Sequence, residues 1–228
     1  MLGIVVSITS CATGKHNTTT PEASQNSNTD PLKEARAEAI MEARKEVKKY
    51  KKEGFHTFLG DVSIEKQIEN ARLKTIAMND LKYPEYIIGY ARVTAGNITA
   101  AKSQALHIAK VEIASQLSSM IATLIESSVA NNEVTEIEAQ TLNKYTQASK
   151  ELIVADLGQI HKDIEIYREL PNKNIQIITR LSYHSSSAME AARRRIQKEM
   201  ESETQTLHQK LDKILNLQLP QSESNSNK

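Results

Sequence analysis

The sequence predicts an α+β fold: a small antiparallel-containing sheet packed by long helices, with flanking helices at the N- and C-terminal ends. Three observations carry this. Apolar residues recur at three- and four-residue steps from Thr99 to Asn131, the helical period. The period drops to two in "DIEIYRELPNKNIQIITRLSY", where Ile164, Ile166, Arg168 and Leu170 alternate, followed by Ile175, Ile177, Thr179, Leu181 and Tyr183. Segments rich in helix formers stand on either side of this region.

The first element opens at Asp30-Pro31, an N-cap followed by a proline whose missing N–H costs nothing at the first helical position. It closes at Gly54, with acids early and lysines late to complement the helix dipole, and a thin apolar stripe of Leu32, Ala39, Ala43, Val47 and Tyr50. Lys48, Lys49, Lys51 and Lys52 near its end read as a solvated face. A second helix is expected over Ser63 to Met78, with Ile64, Ile68, Leu73 and Ile76 roughly on one side. Tyr83-Pro84 breaks it, and Tyr86 to Val93 reads as a strand in which Gly89 marks a bulge or a close backbone approach.

In the long helix Thr99 to Asn131, Ala105 and Ala109 precede Ile113, Leu117, Met120, Ile121 and Leu124. Small residues first and larger ones later suit a helix that starts close to a sheet and then fills a wider core. Thr135-Glu136-Ile137-Glu138 has the form of a capping box opening a helix to about Ala155. Pro171 to Asn174 supplies the turn of an antiparallel hairpin over Asp163 to Tyr183. A second capping box, Ser187 to Glu190, is expected to open a single terminal helix reaching Leu217, with Ala192, Ile196, Met200, Leu207, Leu211 and Leu215 on one stripe. Its charged first half resists enclosure, so its apolar far end is expected to cover the core or a partner.

Composition bounds the rest. The chain is 39% hydrophobic and 25% charged, lacks Trp and has two Phe, so one moderate aliphatic core is expected. A net charge of +1 provides no global field to recruit nucleic acid. The only cysteine, Cys11, sits behind an apolar run, Leu2 to Ile8, and ahead of "ATGKHNTTTPEASQNSNTD", which has too little apolar surface to offset its ordering entropy. Residues 11–30 therefore read as a tether, with a root-mean-square span of about 25 Å. The tail 218–228 reads as disordered.

Ile8-Thr9-Ser10-Cys11 resembles the bacterial lipobox, in which the cysteine is acylated and becomes the mature N-terminus. The resemblance implies a signal segment at 1–10, lipidation at Cys11 and a membrane partner. Signal peptides run about 15 to 30 residues with a basic start. Here Met1 to Ser10 contain no Lys or Arg, which would make Met1 an internal start. Two or more acyl chains hold a protein on a bilayer, and no later segment is expected to span it. The absence of an acidic residue directly after Cys11 resembles outer-membrane lipoproteins that face the periplasm.

The stretch "IIGYARVTAGNITAAKSQALHIAKVEIASQLSSMIATLIESSV" resembles the Lpp-twenty lipoprotein family and the related N-terminal domain of a flagellar accessory protein, through Gly89, Ala91, Ala101, Ala105, Ala109 and Leu117. The region 32–217 is also similar to uncharacterised lipoproteins of Bacteroidota. These likenesses imply an envelope lipoprotein with an α+β domain over 55–217 behind a helix at 31–54, and they supply no catalytic residues.

No catalytic constellation is visible. Ser63-Ile64-Glu65-Lys66 matches the Ser-x-x-Lys of penicillin-recognising enzymes, without the partner motifs Ser-Asp-Asn and Lys-Thr-Gly. The six histidines (His16, His56, His107, His161, His184, His208) have no metal-ligand spacing, so neither a metal nor a cofactor is expected. Arg193, Arg194 and Arg195 spread around a helix and are expected to pair with Glu190, Glu199 or other nearby acids. Two function classes remain: a non-enzymatic binding or scaffolding lipoprotein working with an envelope protein or as a homo-oligomer, and a hydrolase or other enzyme whose site is scattered through the sequence. A cleft of perturbed titratable groups would mark the enzyme. A dry groove or an unpaired strand edge would mark the binder.

Overall fold

A computed structural model describes residues 30–80, 82–157 and 160–216. The expected signal segment 1–10, Cys11, almost all of the tether and the tail lie outside the described residues. Those described form an α+β fold with a four-stranded antiparallel sheet.

Helix α1 spans Pro31–Lys52, with the Asp30 carboxylate accepting from the Leu32 N–H at 3.1 Å and Gly54 at φ +86° ending it. Of its expected stripe, Ala39, Ala43, Val47 and Tyr50 are buried and Leu32 is exposed. A two-residue strand β1 (His56–Thr57) follows, then α2 (Ile64–Ile76). The Ser63 Oγ accepts from the Lys66 N–H at 3.4 Å, so the Ser-x-x-Lys match is a helix start. The buried side of α2 is Ile64, Gln67, Ile68 and Ala71. The expected Leu73 and Ile76 are only half-buried, because Leu73 lines an open groove and Ile76 a shallow hollow against α1.

Strand β2 (Tyr86–Ala95) leads through a turn into α3 (Ile98–Ala130), capped by the Asn97 side chain at 2.9 Å from the Ala100 N–H. A Cβ on Gly89 would stand 2.0 Å from the Ala109 carbonyl oxygen, so this glycine permits direct contact between strand and helix backbones. By length and composition α3 could cross a membrane, contrary to the expectation of no such segment. Its apolar row Ala105, Ala109, Ile113, Leu117 and Ile121 is buried in the fold, and Ser119, Thr123 and Ser127 on other faces bond back to their own helix.

The expected helix to Ala155 is interrupted at Ser149, giving α4 (Glu136–Ala148) and α5 (Lys150–Asp156). The Thr135–Glu138 capping box is present. Strands β3 (His161–Glu169) and β4 (Ile175–His184) form the hairpin, with a bulge between Lys162 and Ile164 and Lys173 at φ 65° in the turn.

The second capping box does not form. β4 runs straight into α6 (Ser185–Glu199), because Ser185 is tied to the segment before β2: its N–H donates to the Glu85 carbonyl at 2.9 Å and its Oγ to that of Pro84 at 2.7 Å. Nor is the terminal helix single. It breaks after Met200, and α7 (Gln205–Asn216) starts where the Thr204 Oγ1 accepts from the Leu207 N–H at 3.4 Å. The break lets both halves bury their stripes: Ala188, Met189, Ala192 and Ile196 from α6, and Leu207, Leu211, Ile214 and Leu215 from α7, in the same core. The far end therefore covers the core.

The sheet order is β1-β3-β4-β2. Helices cover both faces, so the core is double where one was expected. Ile87, Ala91, Val93, Ile177 and Leu181 meet α3 to α7 on one face. Ile164, Ile166 and Ile178 meet α1, α2 and Phe55 on the other. Central strand β4 is buried on both sides, and Ile178, outside the alternating set, serves the second core.

Candidate functional site

β1 pairs with β3 only through His56–Tyr167 and Thr57–Ile166. After Thr57 the chain turns away, the Asp61 N–H bonding to the Phe58 carbonyl at 3.1 Å with Gly60 at φ +87°. His161 to Glu165 of β3 thus have no strand on their outer side. In that place lies an open groove of about 500 Å³, walled by α2 opposite β3. Gln67 spans its inner end, its Oε1 accepting from the Glu165 N–H at 2.9 Å while its Nε2 donates to the Val62 carbonyl at 2.8 Å. The buried amide takes the place of a missing strand.

The charges of the groove are largely tied to one another. The Lys74 Nζ donates to Asp163 Oδ1 at 2.6 Å and to the Ser182 Oγ at 2.9 Å. Glu165 takes Lys162 at 2.7 Å and Lys102 at 3.0 Å, and Lys102 also lies 3.5 Å above the Phe58 ring, itself stacked on Tyr167. One buried acceptor of the groove is left over. The Asp163 side chain is only 4% exposed, and its Oδ2 accepts no hydrogen bond among the described residues. The bulge turns this residue out of the β4 register. Asn70, Asp61 and His161 complete the polar lining, with Leu73 and Val62 apolar.

Outside the groove, burial first and the Glu46 charge second push the Tyr50 phenol up, and burial lowers the Arg180 guanidinium. A second hollow, about 380 Å³, lies between α3 and α4–α5, where Lys150 donates to the Ser115 Oγ at 3.1 Å. The Ser118, Ser119 and Thr146 hydroxyls there bond to their own helices, so no chemistry converges on it.

Cys11, the one site residue expected from sequence, lies outside the described residues. The arginine triplet pairs as expected with nearby acids: Arg193 with Asp212, Arg194 with Glu190 and Arg195 with Asp156, whose carboxyl Arg195 holds low. Among the described residues no group of His, Cys, Asp and Glu is placed to hold a metal. Sequence reasoning missed Gln67, Lys74, Asp163 and Glu165. A signal existed in Gln67, a polar residue beside Ile64 and Ile68 on the helix's inner side, and in the polar "HKD" that opens β3.

Comparison with known protein families, curated proteins and solved structures found no match to this chain.

Proposed function

We propose that this chain is a membrane-anchored envelope lipoprotein with a non-enzymatic binding or scaffolding role, held at the outer membrane through Cys11 and facing the periplasm. The anchor rests on the lipobox-like Ile8-Thr9-Ser10-Cys11, the apolar run before it and the polar stretch behind it. The resemblance to the Lpp-twenty family, carried by packing residues such as Gly89 and Ala109, points the same way.

The observation that carries the binding role is the open outer edge of β3 with its groove. An unpaired strand edge is a ready-made binding surface, whereas a hydrolase needs a nucleophile in contact with both substrate and base. Ser186 lies 2.8 Å from His184 Nδ1, with Glu85 3.6 Å from His184 Nε2, but this pair sits on the exposed β4–α6 junction and lines neither hollow. Within the groove the nearest approach to such a pair is Ser182 beside Lys74. Ser182 is fully buried, and Lys74 is already a donor to both Ser182 and Asp163, which leaves neither access nor a free base.

The anchor is tested by Cys11→Ser, expressed with a full-length signal segment. The variant is expected in the soluble fraction; wild-type retention in a detergent partition would overturn the anchor. The binding role is tested by a photo-crosslinking residue at Asn70, on the groove wall, against one at exposed Ile137 on α4. A partner trapped from intact envelopes at position 70 alone is expected, and equal or no capture at both sites would sink the binding role.

A further inference from the structure

We infer that the groove takes an extended polypeptide carrying a lysine or arginine, which docks beside His161–Glu165 as an added strand in continuation of β1. The inference rests on the binding role proposed above and names the class of partner.

Three observations converge on a strand. The groove lies along the line that β1 abandons at Thr57, so an occupant there continues an antiparallel pairing already begun at Ile166 and Tyr167. Gln67, a side-chain amide, already makes one strand-like bond to this edge, at Glu165. This edge is also open where the opposite one is not: on β2, Glu112 accepts from the Tyr90 N–H at 2.6 Å and Gln116 donates to the Ile88 carbonyl at 2.8 Å. An extended chain satisfies a free edge with its own N–H and carbonyl groups, while alternate side chains set specificity.

The basic side chain follows from what the groove leaves unsatisfied. Glu165 is occupied by two lysines, and Lys74 by Asp163 and Ser182. The buried Asp163 Oδ2 and the exposed Asp61 carboxylate remain as acceptors. A buried carboxylate oxygen without a donor carries a desolvation penalty, which an incoming ammonium or guanidinium relieves. An acidic peptide would add to it.

The test uses the purified full chain and a phage-displayed library of random octapeptides. Enrichment of sequences with a Lys or Arg among β-branched residues is expected on the wild type. It should vanish on Asn70→Trp, which fills the groove from its exposed wall without touching either core. The selected peptide, resynthesised with alternate amides N-methylated, should bind at least about tenfold more weakly in one of the two methylation phases, since only the edge-facing amides of a strand are bonded. Asp163→Asn should weaken the basic peptide more than its Lys→Gln counterpart, with folding checked by circular dichroism. If that variant does not fold, Asp61→Asn provides the same comparison. Equal loss in both methylation phases, unchanged binding to Asn70→Trp, or no enrichment at all would overturn the strand. Capture at position 70 in envelopes together with any of these results would leave the binding role standing and remove only its peptide form; failure of both would remove the two together.

Discussion

The two edges of the sheet have been treated differently. Along β2, helix α3 lies so close that Glu112 and Gln116 reach the outward backbone of Tyr90 and Ile88. Along β3, the covering strand is two residues long, and α2 stands far enough back to leave a groove bridged by Gln67 at Glu165 and by Lys74 at Asp163. What separates them is the size of the residues at the helix–sheet contact. Gly89 opposite Ala109 lets α3 touch the strand, whereas the α2 side is spaced by Ile64, Ile68, Ile164 and Ile166. A protected edge is therefore a consequence of small residues in the core behind it, and an open one of large residues.

The change expected to disturb this contrast most is Gly89→Val. Its Cβ would enter the Ala109 carbonyl, and backbone cannot move aside as a side chain does. We expect a loss of at least about 3 kcal/mol, together with association through the uncovered β2 edge, read by denaturant unfolding and by light scattering. Ile113→Ala and Leu117→Ala, both fully buried on α3, should each cost about 2 to 5 kcal/mol. Losses below about 0.5 kcal/mol for both would mean that α3 does not hold the β2 side as described.

At the other edge, Lys74→Met removes the donor to Asp163 and leaves a carboxylate only 4% exposed without its cation. The loss should be about 3 kcal/mol, and Lys74→Met with Asp163→Leu should recover much of it in a double-mutant cycle. Glu112→Ala is expected to be milder, about 1 kcal/mol for one hydrogen bond at an exposed strand N–H. A Glu112→Ala loss as large as that of Lys74→Met would erase the distinction between a covered edge and a charged one.

The smallest effect lies far from both edges. The Lys210 ammonium, 2.6 and 2.7 Å from the two Glu138 oxygens, and the Thr135 N–H hold the Glu138 carboxyl down at about 2. A depressed carboxylate contributes stability that is complete above its unfolded value near 4.5 and is lost as pH falls toward 2. Glu53, Asp156 and Glu65 shift the same way, each held first by a hydrogen bond from Arg92, Arg195 or Lys51, so wild-type stability should fall on acidification. Glu138→Gln should flatten only its own share of the slope between pH 4.5 and 2. An unchanged acid slope would mean that the α4–α7 tie is not made in solution.

The elements themselves were legible because their signals are local. Asp30-Pro31 and the Thr135–Glu138 box are helix starts written in consecutive residues. The alternation of β3 and β4 follows from the pleat, and Gly89 was readable as a bulge or a close approach, of which the structure has the close approach. The α+β class, the hairpin and the Ala-led long helix follow from these. The break at Met200 was hidden because residues 200 and 207 keep the stripe in phase, so a straight helix satisfies the same pattern. Only the available core surface decides that α7 folds back.

Tertiary structure alone decided the second core and the groove. Ile178 points opposite to the alternating set, and its burial depends on α1 and α2 arriving from more than a hundred residues upstream. The groove depends also on where β1 stops, which is set by the turn at Phe58 to Asp61, about a hundred residues before the strand it leaves uncovered. Lys74, Asp163 and Ser182 lie 89 and 108 positions apart along the chain in their two contacts, separations at which sequence carries no register. A sequence states which backbone shape each segment prefers; which side chains meet is fixed only when those segments share one volume and exclude water from it.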